Sequence, residues 1–232
     1  DIFVACAMES DVIRLRKWCI ANDAPLTILG AGSNVLVSDA GVRGVIARLV
    51  GPGFGRMQRK DSCTVFAGAG APLARLVDWT ARRGLAGMEF LAGIPGTVGG
   101  ALRMNAGAHG SEIGDHTIRV RFIDPHGVIK IADGKDLGFS YRNSRELDGC
   151  VALSAEFAVS RSTVTRVRSR VRNIVERRAW MTGLRCAGSI FKNPPSLGPT
   201  GALLDQLGFK GRSIGGARVN ERHANIIEAS KN

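Results

Sequence analysis

Aromatic residues make up only 6% of the 232-residue chain, with a single tyrosine. That scarcity, and the lack of any RNP-like aromatic sequence, argues against a module that reads single-stranded RNA by stacking bases. The cysteines (Cys6, Cys19, Cys63, Cys150, Cys186) are odd in number and show no C-x-x-C spacing. They exclude a disulfide scaffold and read as buried or inert thiols in a reducing cytoplasm. His109, His116, His126 and His223 lack paired ligand spacing, so no metal site is expected. No apolar run approaches the roughly 18 residues of a membrane span. Asp1-Ile2-Phe3-Val4 lacks the basic and apolar regions of a signal peptide, and without an initiating Met the chain is expected to begin inside a longer protein. No segment repeats with a period of 20–50 residues, which excludes a solenoid. Acidic residues number 20 against 32 Lys and Arg, a net charge of +12. Because the arginines are spread along the chain, small anionic ligands are the first reading of that charge. A basic nucleic-acid-binding domain, with salt-sensitive affinity, is the alternative of a different class.

Glycine, by contrast, is abundant, with 30 residues. It concentrates between Leu85 and Gly114, at positions 87, 93, 96, 99, 100, 107, 110 and 114. Glycine costs about 0.5–1 kcal/mol against alanine inside regular structure, so this stretch is expected to form neither a good helix nor a good strand. Its uncovered amides suit a phosphate nest, and Thr97 and Asn105 add hydrogen-bonding side chains. A flexible linker has a similar glycine content, but Phe90, Leu91, Ile94, Val98, Leu102 and Met104 are too apolar for a solvated tether.

Helices and strands can be read along the rest of the chain. Ser10 can cap a helix over Asp11–Ala21, with Val12, Ile13, Leu15, Trp18 and Cys19 facing inward. A strand at Leu26–Leu29 leads into Gly30-Ala31-Gly32-Ser33-Asn34, and Val35–Val37 reads as the next strand. The Gly-x-Gly is no Rossmann fingerprint, since the third glycine is missing and no helix follows. It reads as a phosphate-cradling turn with Ser33 and Asn34 as donors; an ordinary hairpin turn accounts for the same residues. Val45–Leu49 and Thr64–Ala67 are further strands, and Pro72 and Gly84 bracket a helix with Leu73, Leu76, Val77 and Thr80 inward. Ile118, Val120 and Phe122 alternate with Arg119 and Arg121, and Val128–Ile131 returns as a hairpin. Val151, Leu153, Ala155, Phe157 and Val159 alternate again. A helix after Ser162 carries Val164, Val167, Val171, Ile174 and Val175 on one face, with Arg166, Arg168, Arg170, Arg172 and Arg177 opposite as a solvated face. Domain edges are expected at 1–52, 53–184 and 185–232.

Two short motifs could carry chemistry. Tyr141-Arg142-Asn143-Ser144 offers a guanidinium able to hold a carboxylate and stabilise charge developing on it; taken alone it reads more simply as a surface loop. Gly188-Ser189-Ile190-Phe191-Lys192-Asn193-Pro194 lacks the nucleophile elbow and partner pattern of a hydrolase. Ser189 is therefore read as a proton donor or ligand contact.

Leu29–Val37, Gly93–Gly107, Tyr141–Ser144, Gly188–Pro194 and Gly215–Ile227 occur in the order found in the UDP-N-acetylenolpyruvoylglucosamine reductases, or UDP-N-acetylmuramate dehydrogenases. The chain resembles this family over nearly its whole length. About 45 residues separate the Tyr-Arg motif from Ser189, which resembles the family's second, lid-lacking type. The resemblance implies an α+β protein with the FAD-binding fold of the vanillyl-alcohol-oxidase-like type and a C-terminal substrate-binding α+β domain. FAD would rest on Gly30, Gly32, Ser33 and Asn34 at its diphosphate, and on Gly93, Pro95, Gly96, Thr97, Gly99, Gly100 and Asn105 elsewhere. The implied reaction has two halves: NADPH reduces the flavin, and hydride then passes to the β-carbon of UDP-N-acetylglucosamine enolpyruvate. By resemblance Arg142 stabilises the enolate-like charge, Ser189 protonates the α-carbon, and Tyr141, Asn193 and Glu221 contact substrate. A serine hydroxyl needs a strongly basic acceptor, which an enolate supplies. The implied setting is a cytoplasmic, monomeric enzyme of peptidoglycan precursor synthesis, and thus of cell-wall biogenesis, shape and division, with no nucleic-acid or membrane partner. Another FAD oxidoreductase of the same fold is the nearest alternative.

Two features of the family have no match. Its segment before position 1 is one. The other is a second catalytic acid, a glutamate near the C-terminus in a Leu-Glu-Pro-Glu-like context; Glu228 falls too early to serve. Residues 1–232 alone are therefore expected to turn over little or not at all.

Overall fold

Val45-Ile46-Ala47-Arg48-Leu49 forms the middle strand of a three-stranded sheet, parallel to both Ile2–Cys6 and Leu26–Ile28. The computed structural model describes residues 2–229. Its chain divides into two compact units, Asp1–Gly32 with Ser38–Arg177, and Ser33–Val37 with Arg178–Asn232.

In the first unit the helix Glu9–Ala21 buries Val12 beside Cys6, Ala47 and Phe54, and it buries Cys19 as well. It begins earlier than the sequence predicts, and Ser10 does not cap it. Asp11 does that work from inside the first turn, its Oδ2 accepting from the amides of Ala7 (3.0 Å) and Met8 (2.9 Å). A carboxylate there satisfies orphan donors and complements the helix dipole. The Arg14 hydrogen bond, then the Met8 amide, hold its pKa below the ordinary value. Trp18, expected inward, is 47% exposed, because the buried stripe is narrow.

An antiparallel five-stranded sheet follows, in the order Ile129–Asp133, Thr117–Ile123, Val151–Ala158, Thr64–Gly68, Met57–Arg59. The even alternation read over Val151–Val159 is broken by an irregularity between Ala152 and Ser154. It lets Val151 and Leu153 join the core beside the three-stranded sheet, while Ala155 and Phe157 join the main core. The helix Leu73–Ala81 closes that core with Leu73, Leu76 and Val77. Pro72 sits at its N-cap rather than its first turn, and Gly84 (φ +62°) follows its end. A Cβ on Gly84 would lie 2.6 Å from the Ser162 carbonyl, so the chain passes too closely for any other residue.

The glycine segment contains what its composition argued against, a helix over Val98–Arg103 that includes Gly99 and Gly100. Close packing outweighs propensity: a Cβ on Gly99 would stand 3.1 Å from Ala69 Cβ. Phe90, Leu91, Val98 and Leu102 are buried, so the stretch is core and not tether.

The strand predicted at Val35–Val37 does not form; the segment is irregular and Leu36 is 91% exposed. β-branched residues favour a strand only where a neighbouring strand receives them. In the helix Val164–Arg178, Val167 is buried and Val171 and Ile174 half-buried, but Val164 and Val175 are exposed. At about 100° per residue the arginines fall on both flanks of that stripe, with Arg166, Arg170 and Arg177 on one side and Arg168 and Arg172 on the other. They form no single basic band. Among the cysteines, Cys6 and Cys19 are buried and Cys150 half-buried, each with a thiol pKa raised chiefly by burial. Cys63 departs from expectation and is exposed.

The second unit carries a four-stranded sheet ordered Cys186–Ser189, Ile226–Ala229, Ala217–Val219, Ser213–Ile214, with a short helix at Thr200–Gln206. Buried amides tie its loops: Asn225 accepts from the Phe191 amide (2.9 Å) and donates to the Phe191 carbonyl (2.8 Å). Asn220 accepts from the amides of Arg222 (2.8 Å) and His223 (3.0 Å). No described helix is long and apolar enough to cross a membrane.

Candidate active site

The two glycine-rich turns of the first unit meet. Leu29 donates its amide to the Ala47 carbonyl (2.9 Å), and strand pairing stops there. Among the described residues, the amides of Gly30, Ala31 and Gly32 donate to no protein acceptor. A Cβ on Gly30 would lie 2.7 Å from Thr97 Oγ1, so only glycine lets the turn come this close to the second segment. Gly32 has φ +73° with open space around its Cα. Undonated amides in an open turn, next to a threonine hydroxyl, fit a diphosphate.

The second segment departs from the sequence reading. Its amides are largely committed within the protein: Val98 to the Ala71 carbonyl (2.9 Å), Gly99 to the Ala69 carbonyl (2.7 Å), and Gly100 to Thr97 Oγ1 (3.3 Å). Gly99 and Gly100 therefore act by leaving their Cα atoms bare rather than by offering amides. Thr97 caps the helix as an acceptor, which leaves its hydroxyl proton free to be donated elsewhere. Gly93, Pro95 and Gly100 are exposed, and Gly96 is half-buried.

Arg142 occupies the surface loop of a tight hairpin. Phe139–Ser140 pairs with Asn143–Ser144, leaving Tyr141 and Arg142 as the two loop residues. Ser144 is fully buried and its Oγ donates to the Arg103 carbonyl (2.9 Å), which ties the hairpin to the end of the helix Val98–Arg103. Arg142 has φ +55°, a conformation that costs a non-glycine residue about 1–2 kcal/mol. Its guanidinium donates to the carbonyls of Asn105 (3.3 Å) and Gly107 (3.0 Å) and lies 3.9 Å from Glu112 Oε1. The Tyr141 ring sits 5.2 Å from its central carbon. Donors left over from these contacts can grip a carboxylate.

Asn105, read as a flavin contact, is 2% exposed with φ +40°. Its Nδ2 donates to Glu112 Oε2 (2.6 Å) and to the Ser140 carbonyl (3.0 Å), and its Oδ1 accepts from the Gly114 amide (3.0 Å). Both side-chain donors are thus engaged within the protein. Sequence reasoning missed Glu112; the signal was its place in the Gly-Ser-Glu-Ile-Gly run, where a charged residue interrupts small and apolar ones.

In the second unit, Gly188 (φ +78°) lies in a register irregularity between Cys186 and Ser189, and Ser189 ends exposed opposite Ile226. Asn193 Oδ1 accepts from the Thr200 amide (3.0 Å) at the start of the Thr200–Gln206 helix. Glu221 pairs with Arg218 and is otherwise open to solvent. Glu228 lies within the sheet, opposite Cys186 and Arg218, and receives Asn220 Nδ2 at 3.4 Å. It takes part in the sheet's pairing. No group of three or more His, Cys, Asp or Glu suited to a metal occurs among the described residues.

Residues 1–133 match the family described as FAD binding domain. Residues 180–232 match the UDP-N-acetylenolpyruvoylglucosamine reductase C-terminal domain. UDP-N-acetylenolpyruvoylglucosamine reductase 2 of Symbiobacterium thermophilum is 39% identical over 231 residues, spanning 98% of this chain and 74% of the relative. The chain belongs to the UDP-N-acetylenolpyruvoylglucosamine reductase family. The reductase of Heliobacterium modesticaldum is likewise 39% identical, over 98% of this chain and 73% of its own. Among solved structures, the reductase from Thermus caldophilus superposes with a TM-score of 0.87 at 32% identity, covering 99% of this chain and 82% of that one. Cholesterol oxidase from Brevibacterium sterolicum shares the fold alone, at a TM-score of 0.52 and 19% identity over 68% of this chain and 34% of its own. The α+β, FAD-binding architecture expected from the sequence is therefore that of the reductase family.

Proposed function

We propose that this chain works as its family does, reducing UDP-N-acetylglucosamine enolpyruvate to UDP-N-acetylmuramate for peptidoglycan synthesis, with NADPH as the electron donor. Bound FAD supplies the relay of hydride from NADPH to the enolpyruvyl double bond. The chain's own task is to hold that cofactor and to manage charge and protons on the substrate. The undonated amides of Gly30 and Gly32, with Ser33 and Asn34, take the diphosphate. Gly93, Gly96 and Gly100 leave backbone without a side chain for the ring system and Pro95 lines the same surface, while the Thr97 hydroxyl, beside the Gly30 turn, donates to the diphosphate.

The observation that carries the reading is the Arg142 guanidinium, pinned by two main-chain carbonyls in a strained hairpin turn. Strain kept at such a place points to function. When hydride reaches the β-carbon, negative charge spreads from the α-carbon into the carboxylate. Arg142 is there to meet it, and a preorganised donor acts without reorganising at that moment. Ser189 then gives its hydroxyl proton to the α-carbon, while Tyr141, Asn193 and Glu221 contact the substrate. The short path from the Tyr-Arg hairpin to Ser189, through two strands and the helix Val164–Arg178, supports the second, lid-lacking type. Free thiols, two of them buried, fit a cytoplasmic enzyme.

Ser189→Ala tests the assignment. The variant is expected to accept electrons from NADPH onto FAD at the normal rate and to fail in reducing the enolpyruvyl substrate. Normal turnover would remove Ser189 from its role.

A further inference from the structure

We propose that Glu112 is a positioning residue for Arg142, setting the guanidinium for the carboxylate on which charge develops. The inference rests on the reading of Arg142 given above. Glu112 reaches both of the residues whose carbonyls hold that guanidinium. Its Oε2 takes the Asn105 amide at 2.6 Å, the shortest of the contacts that fix Asn105 in its positive-φ conformation. Its main chain pairs with Gly107 in a two-residue ladder, and a Cβ on Gly107 would meet Glu112 Cγ at 2.7 Å. Gly107 is bare so that Glu112 can pack on it while its carbonyl receives Arg142 Nη2 at 3.0 Å. Gly114 makes the same concession on the other side, where a Cβ would stand 2.9 Å from Asn105 Oδ1.

The other carboxylate oxygen faces Arg142 Nη1 at 3.9 Å, too far for a hydrogen bond but close enough to balance its charge. Oε2 is thus a mechanical anchor and Oε1 a counter-charge. Deleting the carboxylate strands a buried Asn105 donor and frees the carbonyl beside it, so Arg142 loses an anchor and a partner together. A displacement of about 1 Å at such a group can cost about 100-fold in rate.

In the FAD-loaded, full-length protein, Glu112→Ala is expected to slow reoxidation by UDP-N-acetylglucosamine enolpyruvate by at least about tenfold. The loss should fall in kcat, with KM for that substrate within about threefold, as for an interaction strengthened in the transition state. Flavin content and the rate of reduction by NADPH should stay at wild-type values, while the unfolding midpoint falls by a few degrees for the stranded donor. Glu112→Gln, which still accepts from Asn105, should recover most of the rate. Should Glu112→Ala fail to fold, Glu112→Asp carries the test, because its shorter reach from Asn105 should slow reoxidation with flavin retained. Reoxidation at the wild-type rate in Glu112→Ala, or joint loss of flavin and both half-reactions, would overturn the proposal. Arg142→Ala separates the two levels. Slow reoxidation there with a normal Glu112→Ala refutes Glu112 alone, and normal reoxidation in Arg142→Ala refutes the reading of the site.

Discussion

In the turn after Leu29, Gly30, Ala31 and Gly32 keep their amides undonated among the described residues, whereas between Val98 and Gly100 every amide is taken by the protein itself. Both stretches are small-residue, glycine-rich and adjacent, yet glycine serves different ends in them. In the first it leaves a donor surface and lets the turn approach Thr97. In the second it lets a short helix lie against Ala69, and the amides disappear into that packing. Glycine content reports close approach; what approaches, a ligand or the protein's own backbone, is decided by where the amides point.

Substitutions in and beside the two turns separate these uses of glycine. Arg142→Ala should slow the substrate half-reaction by about 10²–10³-fold, the usual cost of a lost charge-stabilising donor. FAD content should hold, because Arg142 belongs to neither turn, and rapid-mixing absorbance of the flavin reads both. Gly30→Ala should come next, lowering the FAD retained after purification, since its new methyl group meets Thr97 Oγ1. Adding Thr97→Ala removes that clash and should restore part of the flavin. No restoration would mean that the turn fails for another reason and would blur the contrast between the two segments.

A smaller effect lies away from the site, at Asp124. Its carboxylate accepts from the amides of Val128 and His126 and pairs with Lys130 at 2.9 Å. The Val128 amide and then Lys130 hold its pKa down at about 2. A pKa depressed in the folded state stabilises above the unfolded value, about 3.9, and that contribution fades as pH falls towards 2. Asp124→Asn should therefore lower the unfolding midpoint at neutral pH, and the gap to wild type should narrow below about pH 4. A gap independent of pH would assign the effect to shape rather than charge.

Much of the fold was legible because it rests on alternation and punctuation. Val45–Leu49, Thr64–Gly68 and Thr117–Ile123 follow their β-branched patterns, and Gly84 marks a helix end. What failed depended on neighbours that the sequence does not display. Val35–Val37 has strand composition but no strand beside it. Ser10 looks like a cap, yet Asp11, one residue on, satisfies the end of the helix better. The irregularity after Ala152 divides one apolar pattern between two cores. At the site, the motifs singled out Arg142 and Asn105 as candidates but gave no sign of the hydrogen bonds that join them. The link runs through Glu112, and a hydrogen bond between residues 105 and 112 leaves no periodic trace in a chain.

The turn after Leu29 is the deciding element. A crystal structure of the full-length protein with FAD would show what it holds. The diphosphate oxygens should lie about 3 Å from the amides of Gly30–Gly32, with Thr97 alongside. A diphosphate bound elsewhere, with those amides still facing water, would contradict it.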